Sequence, residues 1–256
     1  MKYIATGEFN KYGMADVILA LEHKEPLHFF LYPEVMFDEG ICAEQPEHKE
    51  FIENIAIPRL SELGVMVIRS RCKKTYKDIF NRIVSDSPVE ERNGLFRGFP
   101  KNLQCYIKTE IKRQKIDQFI RAQQEPVTEY VGKPVKDRPE KNRISLVKKY
   151  GLTSDDCTDL CKKYGLYSPA YRFAEDMGCW FCSNSSCEEL RHLRKYHPEL
   201  WEELIRLGRT PAKLATPFFS GDTLITDLEE QFYWDEQQMS LWDWFPEGEE
   251  QVRPEM

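Results

Sequence analysis

Between residues 2 and 70, short runs rich in β-branched and aromatic residues alternate with longer stretches of helical periodicity. This alternation restricts the fold more than any other feature of the chain. KYIAT (2–6) reads as a strand, ADVILALEH (15–23) as a helix and LHFFLYP (27–33) as a second strand. EHKEFIENIAIPRLSELG (47–64) follows as a helix closed by its glycine, and VMVIRS (65–70) as a third strand. Strand–helix–strand–helix–strand at this spacing favours a parallel sheet with crossover helices. Residues 106–122 read as helical, TEYVGK (128–133) as a short strand and VKDRPEKN (135–142) as a polar loop. From about residue 150 the pattern turns fully helical. Thr153 or Ser154 is placed to cap one helix that ends at Gly165, and Pro198 to open another. The expected class is α/β: a Rossmann-like parallel-sheet domain over residues 1–150, then a helical, metal-binding region over 151–256 that ends in an acidic tail. The tail mixes aromatic and acidic residues and is expected to dock a few rings on the body.

An apolar fraction of 41% supplies a core of real size. The opening MKYIATGEFN has no apolar signal-like stretch, and no segment approaches 18 uninterrupted apolar residues. The expectation is a cytoplasmic protein that does not enter a membrane. In a reducing compartment its eight cysteines point to metal binding, catalysis or burial rather than to a disulfide framework. The net charge of −7 argues against a generic nucleic-acid binder, but charge is unevenly spread. Residues 101–149 carry 13 Lys/Arg against 6 Asp/Glu, and residues 222–256 carry one Arg against 11 acids. These are either two solvated faces, or a basic groove for a nucleotide or nucleic acid with an acidic tail able to lie against it.

GCWFCSNSSCEEL (178–190) sets Cys179, Cys182 and Cys187 within nine positions, just before a helix. Tetrahedral zinc and a cubane iron–sulfur cluster both want four thiolates, so one ligand must come from elsewhere. A redox pair or plain burial also fits a CxxC. Cys42, Cys72, Cys105, Cys157 and Cys161 are the candidates for the fourth place. Cys157 and Cys161 fall on one helix, with Cys161 on its apolar stripe, which suits packing. Cys105 stands in a polar context before a basic helix, which suits a ligand. Trp180, inside the motif, would shield the site. Trp201 reads as core, His192 and His197 as ordinary histidines, and His23, His28 and His48 show no hydrolase-like arrangement.

Three segments taken in order carry a resemblance: LFRGFPKNLQCYIKTEIKRQKIDQFI (95–120), EYVGKPVKDRPEKNRISLVKKYGLTSDDCTDLCKKYGL (129–166) and GCWFCSNSSCEELRHLRKYHPELWEEL (178–204). Over roughly residues 1–207 the chain resembles the phosphoadenosine phosphosulfate reductase-like family, and within it the cluster-bearing bacterial and phage branch. The resemblance implies an adenine-nucleotide α-hydrolase fold with a nucleotide at the C-terminal ends of the strands. It implies Cys105, Cys179, Cys182 and Cys187 as ligands of a four-iron four-sulfur cluster, with zinc as the alternative. It also implies Lys11, Arg97, Asp137 and Arg138 as residues near a nucleotide.

The departures from the family pattern bear directly on function. Where the family has its SGGxDS phosphate loop, this chain has GEFNKYGM. Phe9 and Asn10 stand for the glycines, Tyr12 for the Asp and Gly13 for the last Ser. Glycines let backbone N–H groups approach a phosphate closely, so Phe9 and Tyr12 are expected to close the cradle and leave ATP binding doubtful. YPEV replaces the family's acidic turn after the second strand. No cysteine follows Cys187 to act as a nucleophile. The chain also runs a residue or two longer than usual between Cys105 and KIDQF, with Lys115 where a proline is expected. Two readings follow: a non-catalytic or remodelled subunit of a larger complex, or an active nucleotide-dependent sulfur-transfer or adenylating enzyme. The loop discriminates them. Phe9 and Tyr12 in the cleft favour the first, and Lys11 facing an open pocket favours the second.

Overall fold

The structure is a computed structural model that describes residues 1–100, 105–132, 142–175 and 178–242. Strand β1 (Lys2–Thr6) leads through a four-residue turn into α1 (Lys11–Glu22), where the Asn10 side chain caps the helix by accepting from the Gly13 N–H at 2.8 Å. The helix begins four residues before the stretch whose periodicity announced it, because Lys11–Met14 has no apolar stripe to reveal its first turn. Strand β2 (Phe29–Tyr32) and a small antiparallel pair, β3 (Met36–Asp38) and β4 (Ile41–Cys42), come next.

One continuous helical rod then runs through α2 (Pro46–Phe51), a π-helical stretch (Ile52–Ala56) and α3 (Ile57–Glu62). Pro58 accounts for the wide turn, since its ring clashes with the carbonyl of the preceding turn and has no N–H to offer. After β5 (Val67–Arg69), α4 (Tyr76–Phe80) and β6 (Phe96–Gly98), a second π segment, Ile107–Arg113, leads into α5 (Gln114–Arg121). Strands β7 (Val127–Val131) and β8 (Arg143–Ile144) complete the main sheet. Then come α6 (Leu146–Lys149), α7 (Ser154–Tyr164), α8 (Cys187–Tyr196) and α9 (Pro198–Gly208). Thr153 caps α7 in a reciprocal box with Asp156, and Gly165 ends it at φ +70°, as the sequence signals required.

Two elements of the last third depart from the expected pattern. Strand β9 (Leu214–Thr216) pairs in parallel with β6, so the chain is not wholly helical after residue 150. The first part of the acidic tail forms a helix, α10 (Ile225–Trp242), which docks Phe232 against Trp201. Its hydrophobic stripe is irregular, which is why the sequence showed docking rings but no helix.

The main sheet is parallel throughout, in the order β5-β2-β1-β7-β8. Counted along the chain this is third, second, first, fourth, fifth, so the direction of winding reverses between β1 and β7. The fold is Rossmann-like α/β, and that reversal is where open parallel sheets form a crevice beyond the strand ends. One sheet face packs Ala5, Phe30 and Tyr130 against α1, α6 and α7. The other packs Ile4, Phe29 and Leu31 against Ile116 of α5. A further core joins Phe37, Tyr76 and Tyr106 to Trp180, Phe181, Trp201 and Phe232, so the cysteine loop and the last helices share one apolar interior with the edge of the α/β layer. No helix among the described residues is long and apolar enough to cross a membrane.

Asp16, buried on α1, accepts from the Val147 N–H at 2.8 Å and so holds the start of α6. Burial raises its carboxyl from the ordinary 3.8 to about 7, against the hydrogen bonds from Val147 and Leu146. The folded protein therefore keeps a proton that the unfolded chain gives up, and stability should fall as pH rises from about 4 to about 7. Asp16→Asn keeps the acceptor and removes the charge. Chemical denaturation of this variant between pH 4 and 8 should show a visibly shallower pH slope than the wild type. An unchanged slope would mean that Asp16 ionises freely in the fold.

Candidate metal centre and nucleotide cleft

Cys179 and Cys182 lie on the loop before α8. The Cys182 N–H donates to the Cys179 carbonyl at 2.9 Å, and Cys179 bridges antiparallel to Glu44. The Trp180 indole N–H donates to the Cys42 carbonyl at 2.8 Å, and its ring is buried beside Phe37 and Phe181, so the tryptophan pins the loop as well as shielding it. Cys105 precedes the π segment and belongs to the same neighbourhood. A thiolate there repels one on Cys182, and Tyr76 feels both Cys105 and Cys179. Burial is the leading cause that pushes the Cys179 and Cys182 thiols up, Cys179 far above its ordinary value. Cys187, the first residue of α8, is exposed, and no interaction among the described residues joins it to the other three. Cys157 and Cys161 are buried in the separate core under α1 and are pushed up to about 11 and about 12 by that burial, as packing residues should be.

Beside Cys179 sits Lys112, carried inward by the π segment. Its ammonium pairs with Glu8, and Glu44 lies near enough to act on it. Burial alone would lower this amine, but Glu8, the Cys179 thiol and Glu44 outweigh it and hold it well above its ordinary value. Glu44 is itself buried and raised by desolvation, and it accepts from the Tyr32 hydroxyl at 3.0 Å. The extra length between Cys105 and Lys115 falls within this π segment, whose wider turns absorb an inserted residue. A permanent buried cation next to thiols is what an anionic thiolate–metal centre needs for charge balance.

The donor geometry bears on which metal would suit the site. Zinc–sulfur bonds of about 2.3 Å place tetrahedral thiolates under about 4 Å apart. Among the described residues, the only set of three or more potential ligand atoms lying within 4.8 Å of one another is Glu47, His192 and His197, and the cysteines do not close that tightly. A cube of four irons carries one thiolate on each outward corner and spreads them wider.

In the turn after β1, Phe9 is fully buried and packs edge-on against Phe30 and Tyr32, 5.0 and 5.1 Å between ring centres. Tyr12 packs against the core below α1. Neither ring fills the cleft, so the cradle is not plugged by these side chains. This is the outcome that was expected to favour an enzyme, although the turn's N–H groups are partly taken within the fold. The Gly13 N–H is taken by Asn10, and the Lys11 N–H donates to the Tyr171 hydroxyl at 2.8 Å. Gly132, just after β7, presses on the same turn: a Cβ there would lie 2.2 Å from the Tyr12 carbonyl carbon and 2.3 Å from the Gly13 nitrogen. Lys11 does face open space. It lines a cavity of about 550 Å³ with Tyr167, Tyr171, Arg172 and Glu188, its ammonium over the Tyr12 and Tyr171 rings.

Arg97 does not join Lys11. It pairs with Glu110 and lies over the Tyr106 ring at 4.4 Å, on β6. Asp137 and Arg138 lie outside the described residues. Four of the eight described cations of the basic segment, Lys112 among them, are engaged within the fold. Arg113 grips both oxygens of buried Glu129 at 2.8 Å, Arg143 adds a bond at 3.0 Å, and Lys149 pairs with Glu25. Three of the six described acids of the tail region also have other partners: Glu229 and Glu236 pair with Arg194, and Asp235 with Arg191.

Sequence reasoning missed three features. Lys112, Glu8 and Glu44 carry no motif and are united only by the fold. His48, fully buried, bonds Ser168 at 2.9 Å through Nδ1. His192 and His197, read as ordinary, both approach one oxygen of Glu47. The i, i+5 spacing of the two histidines across the α8–α9 junction was the one available hint. Compared with known proteins, the chain matches no family model, no curated protein and no solved structure.

Replacing Lys112 with Met should destabilise the protein by about 3–5 kcal/mol, because Glu8 and Glu44 lose their buried counter-charge. A loss under about 1 kcal/mol in urea unfolding would show that the cluster is not coupled. Gly132→Ala should cost about 1–3 kcal/mol through overpacking on the α1 turn. Gly178→Ala, where an added methyl meets nothing within 4 Å, serves as the near-neutral control.

Proposed function

We propose that this chain is a phosphoadenosine phosphosulfate reductase-like protein that keeps a thiolate metal centre and has given up the family's phosphate cradle, acting as a non-catalytic or remodelled subunit of a larger assembly. The observation that carries this reading is the state of the first turn of α1. Two of its N–H groups are spent on Asn10 and Tyr171, and Gly132 packs flush against its backbone. A phosphate there would have to displace protein contacts instead of filling an open nest.

The metal part of the proposal rests on Cys105, Cys179 and Cys182 gathered beside Lys112, with Cys187 on the next turn as the fourth thiol. A four-iron cluster held by these cysteines would tie the cysteine loop to the segment after Cys105 and supply a one-electron centre. Zinc in the same place would tie them without redox chemistry. Trp180 and Phe181 keep water from the buried side, and Lys112 offsets the thiolate charge.

A second reading is favoured by one observation: Lys11 and Arg172 face a cavity that could take a phosphate-bearing ligand in a rebuilt mode. That would restore a nucleotide-dependent enzyme working without the family's loop.

Two measurements separate these readings. Protein purified without oxygen should be brown, with a broad band near ~400 nm, and Cys179→Ser or Cys182→Ser should bleach it. Colourless protein with zinc would retain the site and change the metal, and metal-free protein would contradict it. Calorimetry with ATP and magnesium should give a dissociation constant no better than about 1 mM, since two lost phosphate contacts at roughly 1.5–3 kcal/mol each weaken binding a hundredfold or more. Micromolar binding that Lys11→Ala abolishes would establish the second reading.

A further inference from the structure

The histidines at the α8–α9 junction make a second cluster, separate from the cysteines. Glu47 stands in the first turn of α2, His192 on α8 and His197 at the residue that ends α8 and begins α9. The two Nε2 atoms reach the same carboxylate oxygen, His192 at 2.8 Å and His197 at 3.0 Å. One atom from each of the three residues falls within 4.8 Å of the others.

The other carboxylate oxygen of Glu47 is buried and has no hydrogen-bond partner. A carboxylate that only anchored two imidazoles would normally satisfy both oxygens, since a buried acceptor left bare costs about 1–3 kcal/mol. The surroundings also fix the ligand orientations. His192 stacks on Phe173 at 3.6 Å with planes 9° apart, and His197 turns Nδ1 toward Glu199 at 4.0 Å. An outer carboxylate facing the far nitrogen of an imidazole is the usual partner of a metal-bound histidine.

We propose that Glu47, His192 and His197 form a site for one divalent transition-metal ion, zinc by preference, with a fourth position open to water or a ligand. The donor set decides the metal class. Two imidazoles with one carboxylate suit zinc or cobalt and are poor ligands for magnesium or calcium, which take oxygen donors. Three protein ligands leave the coordination of zinc incomplete, which is the pattern of sites that bind or activate a further molecule rather than purely structural ones. Phe173 backs His192 with its ring and also lines the Lys11 cavity, so the ion would lie one aromatic layer from that space.

The inference does not depend on the cysteine centre, and its test separates the two. Cobalt(II) is titrated into full-length Cys179→Ser/Cys182→Ser protein that has been stripped with chelator. One equivalent should bind with micromolar or tighter affinity and give weak visible bands without the intense near-ultraviolet absorption of a thiolate ligand. His197→Gln and His192→Gln, on that background, should each weaken binding by about a hundredfold or more, beyond the 10–100-fold typical of outer partners. Glu47→Gln, nearly isosteric, guards against a folding artefact and should weaken binding at least tenfold with circular dichroism unchanged. Absence of cobalt binding at 100 μM would overturn the proposal, as would binding that all three substitutions leave intact.

Discussion

The ammonium of Lys112 is the contact on which the two halves of the protein depend. It comes from the π segment after Cys105, pairs with Glu8 in the turn after β1, and faces Glu44 and Cys179 across the joint between the α/β layer and the cysteine loop. A buried amine stays charged only where opposite charge outweighs desolvation. Here the Glu8 carboxylate supplies most of it, with Glu44 close by, and the turn after β1 is drawn toward the cysteine loop as a result. The same cation would balance a thiolate–metal centre. The geometry of the strand–helix turn and the surroundings of the cysteine loop are therefore parts of one electrostatic arrangement.

A phosphate cradle needs glycine backbone and free N–H groups at the start of a helix. This chain fills the position with Phe9, which strengthens the core against Phe30 and Tyr32, and commits the first N–H groups of α1 to Asn10 and Tyr171. In the middle of β7, buried Glu129 is held by Arg113 and Arg143 as a neutralised internal network. What remains open is the side cavity faced by Lys11 and Arg172, next to the histidine cluster.

Much of this was legible in the sequence where local signals and global fold agree. The alternation over residues 2–70 announced the parallel sheet, Thr153 and Gly165 fixed the ends of α7, and the apolar positions of Cys157 and Cys161 marked them as packing. Phe9 and Tyr12 were expected to close the turn with their rings, but both rings pack into the core, and capping and Gly132 crowd the turn instead. Such a distinction depends on side-chain direction, which spacing does not encode. Strand β9 was invisible because three residues pairing with a distant edge leave no periodicity. Lys112, Glu8, Glu44, Glu47 and the two histidines are scattered through the chain, and only the fold brings each set together.

The account stands most directly on the environment of metal in the protein as isolated without oxygen. X-ray absorption at the metal edge should show a shell of sulfur neighbours near about 2.3 Å, lost when Cys105, Cys179 and Cys182 are replaced together. A shell of nitrogen and oxygen neighbours alone, unaffected by those replacements, would contradict the thiolate centre.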